Sequence, residues 1–182
     1  MRNQMKDTIA EAFIELAKKK DIDKITVKNL VDYCGISRQS FYYHFQDIFE
    51  VIEWYNKRLE ERITAKCQEA GSLEEAVRIL VHSFMENKDL IERFQDSQKR
   101  RIVEMLVVDA LQERLRETAR DAVADGQVQM SSSDAEAVLR FTTFGIAGLL
   151  VTYSRRKDRN EEELIRQIIM VVTRMIPRLG EK

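Results

Sequence analysis

Proline is almost missing from this 182-residue chain, which has Pro177 alone, and glycine occurs only six times. Strands joined by hairpins need such turn residues, so this scarcity argues against a sandwich or barrel and for an all-α protein. Cysteine is scarce as well. Cys34 and Cys67 lack any metal-like spacing and make no disulfide framework, so both read as structural thiols in a reducing cytosol. An excess of one charge is also lacking. The formal net charge is −1, and the first fifty residues hold eight Lys/Arg against eight Asp/Glu, so no global basic field announces nucleic acid. Any DNA-binding surface must therefore be arranged locally. The longest nearly uncharged stretch, Phe141 to Ser154, is 14 residues, short of the roughly 20 that span a bilayer. The opening MRNQMKDTIA has no apolar run of the kind a signal peptide carries. The expectation is a soluble, cytoplasmic protein that does not engage a membrane. Repeats and low-complexity segments are absent too.

What is present is 44% hydrophobic and 34% charged residues, a balance that suits a helical protein with a sizeable core and excludes disorder. The length fits one ordinary domain, or a small domain joined to a larger one. Met5, Ile9, Ala12, Phe13, Leu16 and Ala17 recur at helical spacing and predict an amphipathic first helix, closed by Lys18, Lys19 and Lys20 at the negative end of its dipole. Thr26 suits an N-cap, Val27, Leu30, Val31 and Cys34 form an inward stripe, and Gly35 stands where a helix of about two turns needs positive φ. Ile36 plugs the turn. Ser37 caps a second short helix, Arg38 to Phe45. Two short helices about a tight turn bury little apolar area alone, so the first helix must cover them.

Beyond this unit, Asp47 opens a long helix to about Glu69, with Phe49, Ile52, Tyr55, Leu59, Ile63 and Cys67 along one side. Gly71-Ser72 breaks it, and Ser72-Leu73-Glu74-Glu75 fits a capping box opening a helix through Phe84. Asn87 to Asp96 reads as less regular, a stretch of short helices, and Arg101 to Ala124 as helix ending at Asp125-Gly126. The polar loop Ser131 to Asp134 leads into Ala135–Tyr153, the most apolar helix. Basic residues from Arg155 to Arg159 link it to a last helix, Glu161 to Leu179, with Leu164, Ile168, Ile169, Val172, Met175 and Ile176 on one face.

The chemistry concentrates on Ser37 to Phe45. Phe41 and Phe45, four apart, pack inward, which leaves Arg38, Gln39 and Tyr42 on the outer face near the helix start. That end of a recognition helix enters the major groove, where Arg suits the O6/N7 edge of guanine and Gln the N6/N7 edge of adenine. Ser37, Tyr43 and His44 lie within reach of phosphates, as does Thr26 at the start of the preceding helix. The alternative is a solvated helix whose aromatics are all core. Two tyrosines beside Arg, Gln and His on one short helix weigh against it.

Taken in order, Thr26-Val27-x-x-Leu30-Val31, Gly35-Ile36-Ser37 and Phe41-Tyr42-Tyr43-His44-Phe45 followed by Asp47 resemble the DNA-binding domain of the TetR/AcrR family. The resemblance covers about the first fifty residues. It implies a helix-turn-helix domain at residues 1–46 and a helical effector-binding and dimerisation domain at 47–182. It also implies a homodimer that binds double-stranded DNA at a palindromic operator and releases it when a small-molecule effector binds. By position, Thr26, Ser37, Tyr43 and His44 would contact phosphates, and Arg38, Gln39 and Tyr42 would read bases. Two residues depart from the family pattern: Val31, where a small residue is frequent, and Ile48, where a lysine is common. The run Tyr42 to Trp54 is also similar to the subgroup associated with dihydroxyacetone-kinase operons, some of which act with a partner or as activators.

In the C-terminal half, Phe141, Phe144, Ile146, Leu149, Leu150 and Tyr153 wrap much of one helix, and Gly145 and Gly148 permit close approach of another. Helices apolar nearly all round are buried, and one chain of this size struggles to cover both of the last two. A two-fold four-helix bundle made from the last two helices of each subunit would do so; burial inside a monomer is the alternative. For an effector pocket the candidates are Trp54, Tyr55, His82 and Phe84, together with Met105, Phe141 and Phe144, although each taken singly reads as core. A helical enzyme is the rival class. No Ser/His/Asp ordering, metal-ligand cluster or Gly-rich phosphate loop supports it, and no cofactor is called for. The carboxylate groups Glu74-Glu75 and Glu161-Glu162-Glu163 stand at helix starts, where dipole and capping explain them. A second rival keeps the fold but contacts proteins instead of DNA.

Overall fold

A computed structural model describes residues 2–124, 131–156 and 160–175, and among these every regular element is helical. The order is α1 (Arg2–Lys19), a 3-10 turn (Ile22–Lys24), α2 (Val27–Cys34), α3 (Arg38–His44), α4 (Ile48–Glu69), α5 (Leu73–Glu86), α6 (Lys88–Gln95), α7 (Arg100–Ala124), α8 (Ser132–Ser154) and α9 (Glu161–Met170), the last continuing as a π turn (Val171–Met175). The protein is all-α. It divides into two compact units, one of Met1–Arg62 with Asp89–Leu106 and one of Ile63–Lys88 with Val107–Lys182, so the division falls inside α4 and α7.

The first unit closes around Ile9, Phe13, Leu16, Leu30, Phe41, Phe45, Val51 and Ile52, with Leu90 and Phe94 completing the cluster. The segment expected to hold short, less regular helices is one eight-residue helix, α6. Leu90 and Phe94, one turn apart on α6, bury one face, and Phe94 packs its ring 6.2 Å from that of Phe13. Arg93 donates to the carbonyls of Ala17 and Lys20 at the C-terminal end of α1, where backbone acceptors lack intrahelical partners. Lys99 adds a second tie, donating to the Ile22 carbonyl and pairing with Asp23 at 3.0 Å, while Asp23 also accepts from the Gln98 N–H. The Gln98 amide and the Lys99 ammonium hold the Asp23 carboxyl below the usual carboxylate range. Phe49, expected on the inner side of α4, is exposed instead, because Val51 and Ile52 turn the first turn of that helix toward the core.

In the second unit, α5 packs against α8 and α9, burying Val77, Val81, Leu164, Ile165 and Ile168 together with Ile146, Leu150 and Tyr153 of α8. Arg78 joins Glu74 on its own helix to Glu162 of α9. The last helix was expected to reach Leu179, and residues 176–179 lie outside the described residues. By length and composition the span Ser133–Ser154 of α8 is apolar enough to cross a bilayer, with a mean hydropathy of 1.4 and 28% of it buried. The 14-residue uncharged run therefore understated this helix, which carries its charges near its start. Cys34 and Cys67 are half-buried thiols, each pushed up by burial.

Candidate nucleic-acid interface

Gly35 ends α2 in the left-handed region (φ 65°, ψ 31°), its N–H and that of Ile36 both donating to the Val31 carbonyl. A side chain at this position would carry the strain of positive φ, which glycine avoids. The corner frees the chain to start again at once. Ser37 takes extended backbone and its hydroxyl accepts from the Ser40 N–H at 3.0 Å, capping α3. Upstream, Thr26 caps α2 through a reciprocal box: its hydroxyl accepts from the Asn29 N–H, while Asn29 Oδ1 accepts from the Thr26 N–H and hydroxyl. The partner Asn29 was not foreseen, although its Thr-x-x-Asn spacing was visible.

On α3, Phe41 and Phe45 are buried with rings 6.1 Å apart, and they fix which face turns outward. Ser37, Arg38 and Gln39 are exposed, Tyr42 is 58% exposed and Tyr43 71%. Thr26 is exposed on the neighbouring helix start. His44 is half-buried, edge-on to Tyr43 with ring centroids 5.0 Å apart. One short helix and the two caps beside it thus gather all seven residues expected to touch DNA. Two large, mostly solvated phenols next to a guanidinium and an amide are a costly surface for a structural helix and a fitting one for groove and phosphate contact.

At the start of α4, where Ile48 stands in place of a common lysine, backbone amides are bonded within the chain. Asp47 accepts from the Glu50 N–H, and Glu50 reaches back to accept from the Gln46 N–H. These amides serve carboxylates of the chain itself, so they are already engaged, and the negative charge there suits the helix dipole more than a phosphate.

The seven pocket candidates are divided between the two units. Trp54, Tyr55 and Met105 belong to the first unit, and His82, Phe84, Phe141 and Phe144 to the second. Phe84 is buried, but Met105, Phe141 (68%) and Phe144 (63%) are exposed, and His82 lies at the surface beside Glu86 and Glu161. Only Trp54 and Tyr55 line a common concavity, a groove of about 490 Å³ between α1 and α4, rimmed by Asp7, Glu11, Glu15 and Glu61 and by Lys18, Arg58 and Arg62. Among the described residues no group of three or more His, Cys, Asp or Glu is placed to hold a metal.

Residues 9–53 match the family model for bacterial regulatory proteins of the tetR family. No curated protein matches the chain. Among solved structures, the dihydroxyacetone kinase operon activator DhaS is similar at TM-score 0.71 and 18% identity, over 97% of this chain and 98% of that one. A structure from Syntrophomonas wolfei assigned to the TetR family gives 0.73 at 14% identity over 96% of both chains. A TetR transcriptional regulator from Streptococcus agalactiae gives 0.67 at 19% identity, over 95% of this chain and 96% of that one. At such identities these likenesses establish the fold. Residues 9–53 thus match that family's DNA-binding domain, and the fold of these structures runs along nearly the whole length of the chain.

Proposed function

We propose that this protein is a TetR-type transcriptional regulator, a cytoplasmic, ligand-responsive homodimeric repressor whose two copies of α3 enter successive major grooves of a palindromic operator. The observation that carries the reading is the outward face of α3, Arg38, Gln39 and Tyr42 held over the buried Phe41 and Phe45. Arg38 and Gln39 read base edges with Tyr42, and Thr26, Ser37, Tyr43 and His44 position the helix on phosphates. Residues 1–46 are the reading unit and 47–182 the part that pairs and responds to an effector. Dimerisation is supported by α8, where Ala137, Phe141, Phe144, Gly145 and Gly148 form one exposed stripe and both glycines face open space. A second copy's last two helices would cover that stripe in a four-helix bundle. With two-fold symmetry the reading helices must sit about 34–36 Å apart, and an effector that shifts α4 by a few ångströms misaligns one half-site.

Arg38→Ala should cost about 1–3 kcal/mol of operator affinity and relax the base preference at one position per half-site. Tyr43→Ala should instead weaken all sequences alike. Quantitative binding to a duplex selected by the wild-type chain from a random-sequence pool measures both, and unchanged affinity of Arg38→Ala would overturn the base-reading assignment. A second reading, a TetR-like co-activator acting with a protein partner, draws support from the balanced charge of the first fifty residues and from the carboxylates at the start of α4. Under it, binding to the selected duplex would be feeble and insensitive to salt, whereas phosphate contacts make affinity fall steeply as salt rises.

A further inference from the structure

A densely bonded side-chain cluster outside the DNA-facing surface lies where α1 meets the first half of α4. Asp7 Oδ1 accepts from Trp54 Nε1 at 2.9 Å and from Arg58 Nε at 3.0 Å, and its Oδ2 accepts from Arg58 Nη2 at 3.2 Å. A third guanidinium nitrogen, Nη1, donates to Glu61 at 2.8 Å. Lys6 stands 4.6 Å from the Trp54 ring centroid and 4.9 Å from that of Phe45, and Arg58 stands 5.2 Å from the Trp54 centroid. Phe45 is the cap that ends α3. The contacts therefore run from the end of the reading helix, through Lys6 and Asp7 of α1, to Trp54 and Arg58 of α4.

Each bond in this cluster depends on direction. A guanidinium fork meets a carboxylate well only when the two are nearly coplanar, an indole N–H has one direction to give, and a cation gains from a ring only over its face. A half-exposed ion pair adds little to stability when it stands alone. This one takes two N–H bonds from a fork and a third from the indole, all on one carboxylate, so it fixes an angle more than it adds energy. The Arg58 guanidinium beside Asp7 holds that carboxyl below its usual range, so the charged form persists at neutral pH. A tilt of α4 relative to α1 breaks the fork first, whereas the apolar contacts nearby tolerate sliding.

We propose that Lys6, Asp7, Trp54 and Arg58 are positioning residues that lock the reading helix to α4, so that operator affinity depends on the geometry of the Asp7–Trp54–Arg58 cluster although none of its members touches DNA. The inference rests on the DNA-reading role proposed for α3 and names the residues through which motion of α4 reaches it. Trp54 is the one tryptophan in the chain, so its emission reports the cluster directly.

Binding of Asp7→Asn, Arg58→Gln, Arg58→Lys and Trp54→Phe to the duplex selected by the wild-type chain tests the lock. Each variant should bind about tenfold more weakly while helix content and the melting midpoint stay near wild type. Arg58→Lys, which keeps the charge and loses the fork, should be as weak as Arg58→Gln. The Asp7→Asn/Arg58→Gln double variant should be no weaker than either single change, because both break one lock, and Trp54 emission should shift to the red in Asp7→Asn. Trp54→Phe removes the indole N–H with the five-membered ring but leaves every charge of the cluster in place at a half-buried position, so it keeps the test alive if a charge variant folds poorly. Wild-type affinity in these variants while Arg38→Ala binds weakly overturns the lock alone. Additive losses in the double variant, or full rescue by Arg58→Lys, overturn it as well. Unchanged binding by Arg38→Ala overturns the reading of α3 beneath it.

Discussion

The two units of this chain handle apolar side chains in opposite ways. In the first, the aromatic residues facing solvent are almost all phenols, while Phe13, Phe41, Phe45 and Phe94 are buried. In the second, Phe141 and Phe144 stand in solvent beside two glycines at which an added Cβ would meet nothing within 4 Å. Exposed tyrosines carry a polar end that water and phosphate both satisfy, and exposed phenylalanines carry none. The first unit is therefore finished as a folded object and offers a polar surface to a polar partner. The second is apolar where it should be dry, and a matching apolar surface would complete it.

The largest expected effect tests the claim that the first unit is finished. Phe41 is fully buried and serves as the hub that turns α3 outward. Phe41→Ala should cost about 3–5 kcal/mol, because the lost transfer energy adds to the cavity left in a packed cluster. Urea unfolding followed by circular dichroism reads it. A loss under 1 kcal/mol would mean that the helix has no fixed face, and the outward placement of Arg38 and Gln39 would fall with it.

The second effect tests the claim that the other unit is unfinished. Phe144→Asp puts a carboxylate into the exposed stripe of α8, where it costs the free chain little and an apolar interface much. Self-association should weaken by about 2–4 kcal/mol while the unfolding midpoint of the monomer holds, as for a central interface anchor. Sedimentation across a concentration series separates the two quantities. A wild-type chain that stays monomeric at micromolar concentration removes the need for the variant and the dimer with it.

How much of this was readable in advance follows from distance along the chain. The caps Thr26, Ser37, Ser72 and Ser131 and the corner at Gly35 were legible because each works through atoms within four residues. The outward face of α3 was legible for the same reason, since the spacing of Phe41 and Phe45 alone sets it. By contrast, α6 was legible only as short, less regular helix, and its tertiary role was not. It is eight residues long, and its apolar pair gains its worth from Phe13, some eighty residues earlier. The Asp7–Arg58 fork was invisible for a like reason, its partners being 51 residues apart with no local pattern joining them. The pocket candidates are a different case. Helical periodicity reports that a face is apolar without saying what covers it, so Phe141 and Phe144 looked interior when they are exposed.

The smallest expected effect concerns Thr26, where folding and recognition compete for one hydroxyl. Its oxygen accepts from the Asn29 N–H at 3.3 Å while its proton goes to Asn29 Oδ1 at 3.0 Å, so within the resting helix neither end is spare for a phosphate. Thr26→Ala should lower the stability of the first unit by about 1 kcal/mol, and Thr26→Ser should restore most of it. Asn29→Ala divides the roles. It removes the carboxamide that holds the Thr26 proton but leaves the backbone N–H that the hydroxyl caps, so the proton becomes available to a phosphate oxygen. If Thr26 contacts DNA, Asn29→Ala retains operator affinity or gains slightly while Thr26→Ala loses it, with both measured well below the unfolding midpoint. Equal losses in the two variants would make Thr26 a cap and nothing more, and the phosphate contacts of the interface would reduce to Ser37, Tyr43 and His44.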